Sequence, residues 1–366
     1  MNSKIKILVL AQLPPPVHGV STVNEAVIKS RLINEHFSIR CIPLQFASSI
    51  SDLSSIRFSK FNKTILIALC LIKALVSGKY AFVYFTLSPV GLSFYRDLLF
   101  VLIMKAFRVK ILYHLHGKGI RRAAESNNIK KFLYKFAFKD TSVIVLASTL
   151  SRDIETVYAG TPFVVNNGIP PLPAYCPCTR ESMSVVQILY LSNIKRSKGI
   201  QVLLDSLSIL RDKKLTFHVQ LVGNDGDLNN SDLELIIKKM NLDIFVSALG
   251  PKYGADKNEV LKACDIFCLP TLNDAFPLVI LEAMQCGKPV VSTFEGAIPD
   301  IVDDGNTGLL VRQKDSTELA EALQKLISNK KLRNDMGQRG LEKFFANYTL
   351  PKFEQNICEV FMRIAQ

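Results

Sequence analysis

The segment IFCLPTLNDAFPLVILEAMQCGKPVVST, residues 266–293, shows the change of pattern on which the prediction of the fold rests. Two short apolar runs at its ends, Ile266–Pro270 and Pro289–Thr293, predict buried strands. The longer apolar run between them predicts a helix, with Pro277 as its first residue because proline is favoured there. A strand, a helix and a second strand in this order are typical of a parallel sheet covered by helices.

The same alternation extends through the chain on both sides of this segment. In the first half, strands are predicted at Lys4–Leu10, Ala81–Phe85, Lys110–His114 and Ser142–Leu146, with a helix at Ser21–Leu32. In the second half, further strands are predicted at Val185–Leu191, Phe217–Val222, Phe245–Leu249 and Gly308–Val311. The pattern therefore predicts the α/β class, with doubly wound parallel sheets.

The length of 366 residues is enough for two domains, each with its own core. Four prolines in PPLPAYCPCTRESMS, residues 170–184, interrupt the alternation and predict a linker. We expect domains at residues 1–170 and 185–348, a linker at 171–184, and a C-terminal helix at 349–366 that packs back toward the first domain. Ligands of open parallel sheets bind beyond the carboxyl ends of the strands, so we expect the site in a cleft between the domains.

The net charge of +13 arises in the first half of the chain. Residues 1–180 contain 23 Lys and Arg against 8 Asp and Glu, whereas the remaining residues contain 22 against 24. A basic half suits an anionic surface, either nucleic acid or the inner leaflet of a bacterial membrane. Because no nucleic-acid-binding motif is present, we favour the anionic membrane surface and predict no nucleic-acid partner.

Two apolar stretches with basic neighbours bear on this choice, Thr64–Val76 and Asp97–Phe107. Both are shorter than the about 20 residues that cross a bilayer. They fit either ordinary core helices or helices that lie on a membrane surface with lysines among the headgroups. The eight cysteines lack the spacing of a zinc site, so we predict reduced thiols and no bound metal.

Residues of the opening segment have the chemistry of a nucleotide-binding site. A helix that begins at Pro277 leaves backbone amides unpaired at the positive end of its dipole, where an anion such as phosphate is favoured. Asp274 precedes this helix, and Glu282 lies five residues after Pro277, about 7.5 Å along the helix axis. The neighbours of Glu282 are apolar, so its carboxylate needs hydrogen-bond donors such as ribose hydroxyls. The alternative is that Asp274 only caps the helix and Glu282 is solvated. The residues at the helix start are Ala275, Phe276, Pro277 and Leu278.

This segment resembles the E-x7-E motif of the retaining glycosyltransferase family 4, which has the GT-B fold. Asp274 and Glu282 fall on the two acidic positions, the first being Asp where the family usually has Glu. LYLSNIKRSKG, residues 189–199, resembles the family's G-R-x3–4-K-G segment, with Lys198 and Gly199 on its Lys-Gly pair. Asn193 occupies the position where the family usually has arginine, so either Arg196 or Lys195 would supply the second positive charge. A lysine here suits the diphosphate leaving group.

Two further matches lie in the first half. Gly19 in LAQLPPPVHGVSTV, residues 10–23, fits the family's glycine-rich loop near the donor phosphates, where a residue without Cβ lets a ligand approach. His116 in YHLHGKG, residues 113–119, falls on an active-site histidine of the family, although it also fits a structural histidine. His114 alternates with it and points the same way. His18 would line the cleft or cap a turn.

The resemblance implies retaining transfer of a hexosyl or N-acetylhexosaminyl group from a nucleoside diphosphate sugar, by default a UDP-sugar. It implies no cofactor and no metal. In this scheme Lys198 and the helix amides stabilise the leaving group, Asp274 orients sugar hydroxyls and Glu282 holds the ribose.

Together with the basic, apolar first half, the resemblance points to a lipid-linked oligosaccharide acceptor. We expect a cytoplasmic protein at the inner face of the cell membrane that acts in bacterial surface polysaccharide assembly, such as O-antigen or capsule. Two alternatives stay open: a nucleotide-sugar epimerase or hydrolase with the same architecture, and a non-catalytic GT-B binding protein.

Overall fold

The computed structural model describes residues 4–45, 57–172 and 185–366. Most of the predicted linker at 171–184 lies outside the described residues. The chain divides into two compact units: Met1–Gly168 with Leu350–Gln366, and Ile169–Thr349. The chain therefore leaves the first unit at Gly168 and returns to it at Leu350.

The first unit contains a six-stranded parallel sheet with the order β2-β1-β3-β4-β5-β6. Its strands are β1 Ile5–Ala11, β2 Phe37–Pro43, β3 Val83–Phe85, β4 Ile111–Leu115, β5 Ser142–Val145 and β6 Phe163–Val164. The helices between them are α1 Gly19–Lys29, α2 Arg31–His36, α3 Arg57–Ser77, α4 Gly91–Ala106, α5 Ile120–Glu125 and α6 Asn128–Phe138. The predicted helix at Ser21–Leu32 is thus two helices, because Ser30 has an extended ψ of 123° and caps α2.

The second unit contains another six-stranded parallel sheet, with the order β12-β11-β10-β7-β8-β9. Its strands are β7 Val186–Leu191, β8 Phe217–Val222, β9 Val246–Gly250, β10 Ile266–Leu269, β11 Val290–Thr293 and β12 Gly308–Val311. Its helices are α7 Ile200–Asp212, α8 Asn230–Lys239, α9 Gly254–Ala263, α10 Leu278–Gln285, α11 Ile298–Ile301, α12 Ser316–Ser328 and α13 Lys330–Asn347. The prediction of the α/β class with two doubly wound parallel sheets is confirmed.

The last helix, α14 Leu350–Ala365, belongs to the core of the first unit. Phe361 is fully buried there, and its ring meets those of Phe37, Phe82 and Tyr84 edge-on at centroid distances of 5.7, 5.2 and 5.4 Å. The C-terminal residues therefore complete a core that is otherwise built from the first 168 residues.

Two strands of the first sheet, β2 and β6, were not predicted from the sequence. Both lie at the edges of the sheet and are only partly buried, so they lack the continuous apolar runs by which interior parallel strands are recognised.

Candidate active site

The strand order of the second sheet determines where its loops can meet. Counted from β9, the order is 3-2-1-4-5-6, and the direction of winding reverses between the neighbours β7 and β10. Loops that follow the two strands at such a point diverge and leave a crevice at the carboxyl edge of the sheet. The two segments singled out in the sequence, residues 192–199 and 270–277, are these two loops.

Gly199 holds the loop after β7 against the end of β10. Arg196–Lys198 forms a single 3-10 turn, and Gly199 follows with a φ of +78°. A Cβ at this position would lie 1.8 Å from the carbonyl oxygen of Pro270. Only glycine suits both the left-handed backbone and this close approach, so Gly199 places its neighbour Lys198 beside the loop that follows β10.

Lys198 contacts the loop that precedes α10. Its ammonium group forms an ion pair with the carboxylate of Asp274 and donates a hydrogen bond to the carbonyl oxygen of Asn273 at 3.3 Å. Both ionic side chains are about four-fifths buried, at 23% and 19% exposure. Two residues that are 76 positions apart in the sequence are thus brought together.

A further carboxylate, which the sequence analysis missed, holds the Asp274 backbone. Glu295 is buried, and its Oε1 accepts a hydrogen bond from the Asp274 amide at 3.0 Å while its Oε2 accepts one from Gln313 Nε2 at 2.9 Å. A Cβ at the next residue, Gly296, would lie 2.2 Å from the Asp274 carbonyl oxygen. The signal for Glu295 was present in the sequence, since it lies just after a predicted strand where functional side chains are expected.

Helix α10 begins one residue later than predicted. Pro277 is its N-cap, with an extended ψ of 103°, rather than its first residue, and no side chain caps the helix. The alternative in which Asp274 caps α10 is therefore wrong. Within the described part of the chain, no hydrogen-bond acceptor lies opposite the backbone amides of Phe276, Leu278 and Val279. The start of α10 thus presents backbone N–H donors a few residues after Asn273, which the Lys198 ammonium contacts.

Glu282 lies on the first turns of α10 and is largely buried, with 17% of its side chain exposed. Its Oε1 lies 2.7 Å from Nζ of Lys257 on α9. Its Oε2 is buried and has no hydrogen-bond partner among the residues that the structure describes. The alternative in which Glu282 is merely solvated is therefore wrong, and one of its oxygens can still accept a hydrogen bond.

Asn193 and Arg196 lie on the loop after β7 and are exposed. Asn193 accepts a long hydrogen bond of 3.5 Å from Asn224, which itself accepts one from the Tyr253 hydroxyl at 2.8 Å. The Arg196 amide donates to the Asp227 carboxylate at 2.8 Å, which fixes the turn. The Arg196 guanidinium has no partner among the described residues, so a second positive charge is available on the same turn as Lys198.

The first unit holds its own group of predicted site residues, around His116 just after β4. The rings of His114 and His116 are 4.0 Å apart, and Nδ1 of His114 is 2.6 Å from the Tyr84 hydroxyl. Nε2 of each histidine is buried without a hydrogen-bond partner in the described residues. Burial, with a smaller contribution from the charge of His18, lowers the pKa of His116 to about 3, and burial lowers the pKa of His114 well below its usual value. Both imidazoles are neutral at pH 7.

Gly19 does not lie in the loop where it was expected. It is the first residue of α1, and His18 is the N-cap. Nδ1 of His18 accepts a hydrogen bond from the Ser21 amide at 3.3 Å, and the Ser21 hydroxyl accepts one from the His18 amide at 2.9 Å. This reciprocal capping starts the helix earlier than the sequence pattern indicated. His18 thus has the capping role that was one of its two predicted roles.

Comparisons with known proteins relate part of the chain to a described family. Residues 181–343 match the family described as glycosyl transferases group 1. The D-inositol 3-phosphate glycosyltransferase of Corynebacterium jeikeium is 35% identical over 154 residues, which cover 41% of this chain and 37% of that protein. The chain therefore spans little more than a third of the length of this curated relative.

Two solved structures share the fold over nearly the whole chain. HepE of Anabaena, solved in complex with UDP, has a TM-score of 0.75 at 19% identity, covering 98% of this chain and all of that one. WaaG, a glycosyltransferase involved in lipopolysaccharide biosynthesis, has a TM-score of 0.68 at 16% identity, covering 97% and 99% of the two chains. The second half of the chain is thus similar to the glycosyl transferases group 1 family, and the fold of the chain is GT-B.

Proposed function

We propose that this protein is a glycosyltransferase that moves a sugar from a nucleoside diphosphate sugar to an acceptor hydroxyl. The observation that carries the proposal is the contact of Lys198 with the loop before α10. This loop leads into backbone amides that have no acceptor among the described residues. A diphosphate matches both, because it carries negative charge and many hydrogen-bond acceptors.

The two acidic residues supply the remaining contacts of this donor. The buried Oε2 of Glu282, which has no partner in the part of the chain that the structure describes, accepts a hydrogen bond from a ribose hydroxyl. Asp274, already held by Lys198 and through its amide by Glu295, orients hydroxyls of the transferred sugar. Arg196 offers a second positive charge to the diphosphate.

We further propose that the transfer retains the configuration of the sugar, as the resemblance to family 4 implies. The bond between the anomeric carbon and the diphosphate breaks, and the acceptor oxygen bonds to that carbon from the same face. The acceptor proton passes to an oxygen of the departing diphosphate. Lys198 and the α10 amides stabilise the charge that develops on the leaving group, which is an electrostatic form of catalysis without a cofactor.

UDP is the first nucleotide to test, since the HepE structure contains it. A panel of UDP-, GDP-, ADP- and dTDP-sugars is screened for an increase in the thermal midpoint, which a ligand that binds only the folded state must cause. We expect a UDP-sugar to give the largest increase. If no nucleotide sugar changes the midpoint, the protein is not a donor-dependent enzyme and the non-catalytic alternative is favoured.

The reaction products separate the enzymatic alternatives. Incubation with the donor alone leaves the donor unchanged if the protein is a transferase, apart from slow hydrolysis. Rapid conversion of the donor to an epimer or to free sugar without an acceptor would contradict the proposal and identify an epimerase or hydrolase.

We propose that the acceptor is a lipid-linked glycan that the protein meets at a membrane surface. Helix α3 exposes Phe61, Ile65, Leu69, Ile72 and Val76, at intervals of three or four residues that form one apolar stripe. Its neighbour α4 exposes a second stripe. The residues of this second stripe are Leu92, Tyr95, Leu99 and Leu102.

The charge around these stripes suits an anionic bilayer. Helices α3 and α6 contain basic residues and no acidic ones, and the basic excess of the chain lies in this half. Helices with an exposed apolar face and basic neighbours insert that face among headgroups. Among residues 4–45, 57–172 and 185–366, no helix has both the length and the apolar composition needed to cross a bilayer.

This arrangement supports a peripheral protein at the cytoplasmic face of a bacterial membrane, acting in surface polysaccharide assembly such as O-antigen or capsule. Flotation with anionic liposomes is expected to carry the protein upward at low salt and less at high salt. Failure to float with anionic liposomes at low salt would contradict the membrane proposal while leaving the donor proposal intact.

A further inference from the structure

The ion pair between Lys257 and Glu282 joins two helices of the second unit. Lys257 lies on α9, which precedes β10, and Glu282 lies on α10, which follows β10. Nζ and Oε1 are 2.7 Å apart, and the side chains are 28% and 17% exposed. The sequence analysis assigned no role to Lys257.

The two oxygens of Glu282 are in different situations. Oε1 receives the charge-assisted hydrogen bond from Lys257, whereas Oε2 is buried with no partner among the described residues. A buried carboxylate oxygen without a donor is costly, so such an oxygen in a native site points to a ligand that supplies the donor. By holding Oε1, Lys257 also limits the rotation of the carboxylate, so Oε2 keeps one direction.

We propose that Lys257 is a positioning residue for the ribose of the donor. It compensates the charge of Glu282 and orients Oε2 to accept a hydrogen bond from a ribose hydroxyl. This inference rests on the proposed function. It predicts that the site binds ribonucleotides more tightly than nucleotides that lack the ribose 2′- and 3′-hydroxyls.

Removal of Lys257 has a specific consequence. The carboxylate of Glu282 then has no partner among the described residues and turns toward water, because an unpaired charge is more stable hydrated than buried. A ribose hydroxyl would have to compete with that hydration. Binding therefore weakens for a nucleotide that has the hydroxyls and changes little for one that lacks them. A residue that only stabilised the fold would weaken both to the same extent.

The test is calorimetric titration of the full chain with UDP and with 2′,3′-dideoxyuridine diphosphate. We expect the wild type to bind UDP about tenfold to a hundredfold more tightly than the dideoxy analogue, as for hydrogen bonds to a charged group. In Lys257→Met this ratio is expected to fall to about threefold or less. Lys257→Arg, which keeps the charge, is expected to retain most of the preference.

The matched control is Lys262→Met, because Lys262 lies on the same helix and is exposed. It is expected to behave as the wild type with both nucleotides. Glu282→Gln provides a second measurement that does not depend on the folding of Lys257→Met, and it is expected to lose the preference as well.

Three results would overturn the inference in distinguishable ways. If Lys257→Met keeps the wild-type ratio, Lys257 does not position Glu282. If the wild type binds UDP but does not discriminate against the dideoxy analogue, the ribose assignment is wrong while the donor site stands. If the wild type binds neither UDP nor any other nucleoside diphosphate, the proposed function fails, and this inference with it.

Discussion

At the scale of single residues, Gly199 shows how one backbone position supports the candidate site. Two independent constraints apply to this residue. Its φ is +78°, and a Cβ at this position would lie 1.8 Å from the Pro270 carbonyl oxygen. We expect Gly199→Ala to lower the free energy of unfolding by about 3 kcal/mol or more, since a backbone clash adds to left-handed strain. Gly305→Ala is the control, because Gly305 has a φ of +74° with nothing within 4 Å of its Cβ position, and about 1 kcal/mol is expected. Equal losses in urea unfolding would show that the contact with Pro270 is unimportant.

Lys198 carries the electrostatic part of the proposed reaction. Lys198→Ala removes the ammonium group that contacts Asp274 and Asn273, and we expect kcat to fall by about a hundredfold to a thousandfold, as for loss of one donor to a developing charge. Lys239→Ala, at an exposed lysine that ends α8, is expected to leave kcat unchanged. Transfer from the donor sugar is the measurement. A variant at position 198 with wild-type kcat would remove this residue from the mechanism.

The histidine pair predicts a pH dependence of stability. As the pH falls below 6.5, unfolded His116 binds a proton that the folded residue, with its pKa of about 3, does not bind. Stability is therefore lost on acidification from pH 6.5 downward, by at most about 1.4 kcal/mol per pH unit for this residue. Buried His114, with its lowered pKa, acts in the same direction.

Urea unfolding of wild type and His116→Gln between pH 7.5 and 5.0 isolates the contribution of His116. The variant is expected to have the smaller slope of stability against pH. Parallel slopes would mean that His116 is accessible to protons in the folded chain.

At the scale of helices and strands, the exposed apolar stripe of α3 is the surface that we propose contacts the membrane. Leu69 is 56% exposed on this stripe, and Leu235 on α8 of the second unit is 56% exposed as well. We expect Leu69→Glu to weaken binding to anionic liposomes about tenfold, because it removes apolar insertion and adds repulsion, and Leu235→Glu to have no effect. Flotation of both variants is the measurement. Equal binding by the two would exclude α3 from the membrane contact.

The same scale shows why some strands were predicted and others were not. Interior strands are buried on both faces and mostly apolar: β10 is apolar throughout, and Gln187 is the one polar residue of β7. The edge strand β2, in contrast, carries Ser38 and Arg40 at exposed positions. Its sequence FSIRCIP therefore does not distinguish a strand from a loop.

At the scale of the whole molecule, the chain path makes the first unit depend on its last residues. Phe361 is fully buried and meets three aromatic rings from the first 85 residues. We expect Phe361→Ala to destabilise the first unit by about 3–5 kcal/mol and to leave the second unit folded. Phe345→Ala is the control, since that ring is 51% exposed.

Hydrogen exchange resolved along the chain is the measurement for this variant. Loss of protection is expected in β1 and β3, with β7 and β10 unchanged. Uniform loss in both units would show that they unfold as one cooperative body.

The sequence by itself determined the α/β class, the interior strands and the positions of the two motif segments, because these depend on local periodicity and on residues near one another in the chain. It also identified Lys198, Asp274 and Glu282 through their spacing and family resemblance. Only the tertiary structure decided that Lys198 meets Asp274, that Glu295 holds the Asp274 backbone, and that Lys257 occupies one oxygen of Glu282. It also decided that Gly19 begins a helix rather than lying in a loop. Contacts such as these join residues 21 to 76 positions apart. The contacts of Lys198 and Glu295 with Asp274 follow from the strand order, which brings the loops after β7, β10 and β11 to one edge of the sheet. Local sequence periodicity does not determine strand order.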